Sequence, residues 1–212
     1  MYLSSCSNVE LKTKIILQGP YDATADQMYT LINPDIPADQ PYFSPPFNYY
    51  GSESLDAIPS DMVDWVLVEL RSTATGPAID RSAAVLLQDG TVMDTGMSDY
   101  VRFDGILPLE EYYIVVYHRN HLPVMSQDPV EVPNIIMYDF SDTLNFPSYG
   151  YAKYAQIELE TGVYGLISGD LNNDGKLIYS GGFNDRARII NQIFFVTGSP
   201  VLTQTIQGYY DE

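Results

Sequence analysis

Apolar and polar residues alternate through Val9–Gln18, with Leu11, Thr13, Ile15 and Leu17 on one side and Lys12 and Lys14 on the other. A period of two predicts a half-buried strand, and Gly19-Pro20 ends it. Asp22–Leu31 offers a short helical turn with Met28 and Leu31 pointing inward. The pattern is then lost in Asn33–Ser60, where Pro34, Pro37, Pro41, Pro45, Pro46 and Pro59 mix with Tyr42, Phe43, Phe47, Tyr49 and Tyr50. A stretch this long without periodicity is expected to be a lid over a sheet edge or a binding loop. Met62–Ser72 is apolar on both sides, with Trp65 and Leu67 on one face and Val66, Val68 and Leu70 on the other, the signature of a central strand. Asp89-Gly90 inside Ser82–Met93 marks a hairpin. Tyr100–Phe103, Glu111–His118, Val130–Val132, Met137–Phe140, Ala155–Glu160 and Val163–Ile167 complete a run of short strands, which predicts an antiparallel β-sandwich of the Ig-like kind over residues 1–165.

Composition narrows the partners. The chain has 212 residues and a formal net charge of −18, from 10 Lys+Arg against 28 Asp+Glu. No basic face is available for phosphates, which excludes nucleic acid and disfavours anionic membrane surfaces. No stretch approaches the length of a membrane span. The single cysteine, Cys6, rules out an internal disulfide. Leu3-Ser4-Ser5-Cys6 looks like a lipoprotein cleavage box, but only Met1 and Tyr2 precede it, so Cys6 is a lipid-anchor candidate on the tetrapeptide alone.

The strongest local chemistry lies in Ser168–Asn191. Asp170, Asn172 and Asp174 alternate with Leu171 and Asn173, and Gly175 follows. Oxygen donors at positions one, three and five with a glycine at six form the opening of an EF-hand-type calcium loop. Lys176 at position seven would give only its carbonyl oxygen, and Leu177 would pin the loop to the core. Positions nine and twelve, Ile178 and Gly181, break the pattern. An acid arrives late, as Asp185, if the Gly-rich insert Tyr179–Asn184 bulges and brings it back; Asn184 is the substitute. Asp185 also begins a helix, because the residues after it are apolar at helical spacing. The expected ligands of one Ca²⁺ are therefore Asp170, Asn172, Asp174, Asp185 and the Lys176 carbonyl, within a tail spanning 166–212. Zn²⁺ does not suit a loop without Cys or His, and Mg²⁺ keeps its waters too firmly. The alternative is an Asn/Asp/Gly-rich surface turn that holds no metal.

The segments L-Q-G-P-Y-D (17–22), V-D-W-V-L-V-E-L-R (63–71), L-L-Q-D-G (86–90), Y-H-R-N-H-L-P-V-M-S (117–126) and G-D-L-N-N-D-G-K-L-I-Y…N-D-R (169–186) occur together in this order. In this the chain resembles the C-terminal region of secreted or surface hemagglutinin-like proteins of Bacteroidota-type bacteria, whose ends are similar to dockerins. The resemblance implies an extracellular β-sandwich joined to a calcium-binding tail. Dockerins carry two loop–helix repeats; Asp170, Asn172, Asp174 and Asp185 fall on the ligand pattern of the first. A second would begin at Gln207–Glu212, so the tail is expected to be incomplete.

Other residue types carry less. His118 and His121 in H-R-N-H would point to opposite faces of one strand, which favours a structural role for a polar turn over a metal pair. Ser, His and Asp are present without a nucleophile elbow. Trp65 belongs to the core, and Tyr42, Phe43, Phe47, Tyr49 and Tyr50 are the candidates for touching a sugar or a protein. The expected function is a non-catalytic, extracellular, calcium-binding module for adhesion or assembly with other domains or surface proteins. A carbohydrate-binding module of a polysaccharide-degrading system is the first alternative and a hydrolase the second.

Overall fold

The computed structural model describes residues 8–104, 106–145, 155–181, 184–187, 189 and 191. Cys6 and Gln207–Glu212 lie outside them. The protein is mainly β, in curled sheets. The strands are β1 (Val9–Leu11), β2 (Thr13–Lys14), β3 (Tyr21–Asp22), β4 (Gln27–Met28), β5 (Met62–Arg71), β6 (Asp80–Leu87) and β7 (Thr91–Met93), followed by β8 (Val101–Phe103), β9 (Glu110–His118), β10 (His121–Met125), β11 (Val130–Val132), β12 (Tyr138–Asp139), β13 (Gln156–Glu160) and β14 (Val163–Leu166). Among the described residues no helix is long and apolar enough to cross a membrane.

The main sheet runs β10-β9-β5-β6-β7-β2-β12, with β11 beside β9. β5 pairs antiparallel with β6 on one side and β9 on the other, as its unbroken apolar sequence requires. Its two faces feed separate cores. Val66, Val68 and Leu70 join Ile114, Val116 and Phe140 in one cluster, closed by Val9 and Leu11 of β1, Val101 and Phe103 of β8, and Leu166 of β14. Among the described residues β1 and β8 pair only with each other, as a small sheet over that face. Trp65 and Leu67 join Met62, Val85 and Leu87 in the second cluster.

The long Asn33–Ser60 segment covers this second face of the sheet, not an edge. Ile36, Tyr42 and Leu55 are buried in its cluster. Tyr42 donates from its hydroxyl to the Trp65 carbonyl at 2.7 Å, and the Trp65 indole donates to the Pro37 carbonyl at 2.9 Å. The polar ends of both rings are thus satisfied inside an apolar contact, which lets these rings pack there at all. Asp22–Leu31 forms a hairpin of β3 and β4 where a helical turn was expected. Asp22 Oδ1 accepts the Thr24 amide at 2.8 Å, and this side-chain turn outcompetes a helical start. Met28 is buried as expected, but Leu31 faces solvent.

The chain after β14 is fastened to the body. Leu17 bridges to Leu166, and the Gln18 amide donates to the Leu166 carbonyl at 2.9 Å. Leu122 donates to the Ile167 carbonyl and Gly169 to the Asn120 carbonyl, each at 2.8 Å. Ser168 donates from its amide to Gln18 Oε1 at 3.0 Å. The acidic loop therefore starts from a fixed base on the turn between β9 and β10.

Candidate functional site

Asp170 is 1% exposed, and its carboxylate holds the start of the loop. Oδ1 accepts the Asp174 amide at 3.1 Å and Oδ2 the Gly175 amide at 3.0 Å. This is the curl that alternate side chains need in order to converge. Two residues take the positive φ that makes it possible, Asn173 at 56° and Gly175 at 75°. Asparagine and glycine tolerate that region at least cost. Asn172 Oδ1 accepts the Asp174 amide, and Asp174 Oδ1 the Lys176 amide, each at 3.0 Å.

Asp185 does return to this loop. Its Oδ1 accepts the Leu171 amide at 3.0 Å and its Oδ2 the Ile178 amide at 2.8 Å. Gly181, at φ 106°, lies in the bulge that lets the chain double back. Asn184 is occupied otherwise: its Oδ1 accepts the Ala187 amide at 2.8 Å and caps a helical segment that includes 185–187, 189 and 191. Leu177, expected to be an apolar pin, is 45% exposed and lies over Gly169. The loop is held by backbone bonds to the β9–β10 turn instead.

The electrostatics of the loop follow from this geometry. Burial pushes the Asp170 carboxyl up to about 6, with the charges of Asp185 and Asp174 adding to the rise and the Gly175 and Asp174 amides opposing it. Among the described residues no three His, Cys, Asp or Glu side chains are grouped to hold one ion. The expected donor set includes an asparagine amide and a main-chain carbonyl besides its acids, all of them oxygen. That chemistry fits a hard cation such as Ca²⁺, and a cation there would relieve the repulsion from Asp185 and Asp174 that adds to the rise at Asp170.

A second polar constellation lies at the base of the loop. His118 ends β9 and His121 begins β10, so Arg119-Asn120 is a two-residue turn and the histidines are cross-strand partners. They meet with Nδ1 atoms 2.9 Å apart and do not diverge to opposite faces. His118 Nε2 lies 3.0 Å from Asp64 Oδ2, and Arg119 donates to Asp64 Oδ1 at 2.5 Å. All four side chains are buried. Burial alone would raise the Asp64 carboxyl, but Arg119 and His118 outweigh it and hold it below the ordinary range. Burial, then the neighbouring His118, push His121 down to about 3.

The aromatic loop divides. Tyr42 is buried, and Phe47 packs edge-on against it with centroids 4.9 Å apart. Tyr49 is half-buried, bonded to Glu53, and lies beneath the Arg81 guanidinium. Only Phe43 and Tyr50, 60% and 79% exposed, present their rings outward among these five.

Sequence reasoning named Asp170, Asn172, Asp174, Lys176 and Asp185, and these lie along one closed loop. It missed Gln18, which joins the loop to the histidines, because a contact across 150 positions leaves no local pattern. It also missed that His118 and His121 meet. Arg-Asn between two β-rich runs was the available signal for that turn. Comparison with family models, curated proteins and solved structures finds no match for the chain.

Proposed function

We propose that this chain is a non-catalytic, calcium-binding module of an extracellular or cell-surface bacterial protein, serving adhesion or assembly with neighbouring domains or surface proteins. In this reading the β layers form an Ig-like antiparallel sandwich, and 166–212 is a dockerin-like tail. The observation that supports it best is the return of Asp185 to the curl made by Asp170, Asn173 and Gly175. Asp170, Asn172, Asp174, Asp185 and the Lys176 carbonyl would hold the ion. Bound calcium would supply the positive charge that these clustered acids lack and stiffen the tail on its base.

Chelation tests this reading. A ligand that binds only the folded chain stabilises it by about 2.7 kcal/mol at a hundredfold excess over Kd. EDTA should therefore lower the melting temperature by about 2–4 °C for each kcal/mol lost in a chain of this size, and Asp170→Ala should remove the difference. An unmoved midpoint, with no calcium in the loop by anomalous scattering, would sink the proposal. The outward rings of Phe43 and Tyr50 favour one further reading, a glycan contact. Binding on a glycan array that is lost in the Phe43→Ala, Tyr50→Ala double variant would establish it.

A further inference from the structure

The partners of His118 and His121 fix how many protons the pair holds. His121 Nε2 lies 2.8 Å from the Gln18 carbonyl oxygen, which can only accept, so that nitrogen carries a proton. His118 Nε2 faces Asp64 Oδ2, and Asp64 is kept ionised by Arg119, so this nitrogen also donates. The two Nδ1 atoms, 2.9 Å apart, need one donor and one acceptor. Four ring nitrogens therefore share three protons, and the pair bears one positive charge opposite Asp64. Asn120, whose Oδ1 lies 2.8 Å from His121 Nδ1, adds no charge to the pair, and its amide can be turned about. A fourth proton would set two N–H groups against each other and place two cations in a buried site.

This pair stands at the base of the acidic loop. His121 grips the Gln18 main chain, and the Gln18 side chain holds the Ser168 amide. The turn between the histidines accepts the Gly169 amide on Asn120. Leu122, next to His121, donates to Ile167, and His121 itself bridges to Ser168.

We propose that the histidine pair is a proton-operated latch: with three protons it seats Ile167–Gly169 on the β9–β10 turn, and a fourth proton parts the rings and frees the loop. The latch concerns the seating of the loop, and it rests on the calcium reading only for one consequence, weaker calcium binding in acid. Among the described residues the charged and titratable groups around the pair are Asp64 and Glu69 of β5, Arg81 of β6, Arg119 of the turn, Tyr117 of β9, and Asp170 and Asp174 across the shared cleft. Asp170 stays in place in the control variant below, which separates its protonation from that of the histidines.

The test is hydrogen exchange of the Leu122, Ser168 and Gly169 amides in the full chain without calcium, corrected for the intrinsic pH dependence of exchange. Opening takes up one proton, so the opening equilibrium should rise about tenfold for each pH unit below about 6.5. In His121→Gln, whose side-chain amide keeps a donor for Gln18 and adds no charge, the slope should vanish. A wild-type slope of zero, or an equal slope in the variant, overturns the latch. Should the variant not fold, ring-nitrogen NMR of the wild type at pH 7.5 decides. Three protonated nitrogens of four support the latch, and two overturn it. Calorimetry with calcium at pH 7.5 and 5.5 separates the two proposals. No binding at either pH with the exchange slope intact removes the calcium reading and leaves the latch standing.

Discussion

The Asp185 carboxylate accepts the Leu171 amide at 3.0 Å across 14 positions and turns an open acidic stretch into a closed loop. Its other oxygen holds Ile178, so the side chain satisfies two backbone donors while lying 7% exposed. Replacing it with alanine leaves both amides without their acceptor, a cost of about 1–3 kcal/mol for each buried group. Asp185→Ala should unfold the loop locally, seen as fast amide exchange at Leu171 and Ile178. Asp185→Asn retains one acceptor oxygen and should keep partial protection. If calcium binds as proposed, both variants lose affinity, and the asparagine variant loses it without opening the loop.

The two sides of the aromatic segment predict opposite sensitivities. Tyr42→Phe removes one buried hydrogen bond and should cost about 1 kcal/mol. Tyr42→Ala also empties a fully buried ring site, which costs about 3–5 kcal/mol. Tyr50→Ala should stay within about 0.5 kcal/mol, as for a surface position. Urea midpoints of the three variants check this ordering, and a Tyr50 variant as damaging as the Tyr42 one would contradict the placement of the loop.

Gly90 closes the turn between β6 and β7 at φ 89°, where an added Cβ would lie 2.5 Å from the Ile15 carbonyl oxygen. That carbonyl belongs to the segment after β2, beside which β7 is paired. Gly90→Ala therefore combines an unfavourable backbone region, worth about 1–2 kcal/mol, with a collision against main chain. The expected result is a loss of more than about 1 kcal/mol in the urea midpoint. Asp89→Ala, which removes only the acceptor of the Thr91 amide at 2.9 Å, should be milder.

The features legible in the sequence are those whose cause is local. β5 was visible because a strand buried on both faces must be apolar throughout. The curl at Asp170 was visible because alternating acids and Gly175 are needed to make it. Features decided by a distant partner were not visible. Leu31 has the spacing of an inward residue, yet the Asp22 side chain turns that stretch into a hairpin. Leu177 has the chemistry of a pin, yet the Asn120 carbonyl and the Gln18 side chain already hold the Gly169 and Ser168 amides at the base of the loop. His118 and His121 diverge on a continuous strand and meet on a hairpin, and two turn residues decide between these.

The burial of His121 makes global stability depend on pH in a defined direction. His121 is pushed down to about 3 in the folded chain, whereas a histidine in the unfolded chain takes its proton near 6.5. Between those values the unfolded state binds the extra proton, so the stability that His121 contributes is fully present above about 6.5 and is lost as the pH drops. The slope from this one group is about 1.4 kcal/mol per pH unit. Asp64 adds a second window of the same sign: its depressed carboxyl contributes stability above about 3.9, lost as the pH falls through its folded value. Neutralising a chain with a net charge of −18 has the opposite sign, since it relieves self-repulsion. The difference between wild type and His121→Gln isolates the histidine from that background. Urea midpoints at pH 7.5, 6.5 and 5.5 should show the wild type losing ground on the variant below 6.5. If the latch opens before the whole chain unfolds, the difference levels off where it opens, because the histidine is then protonated in both states. A difference that stays constant across that range would mean that His121 titrates normally in the folded chain and is not held neutral by burial.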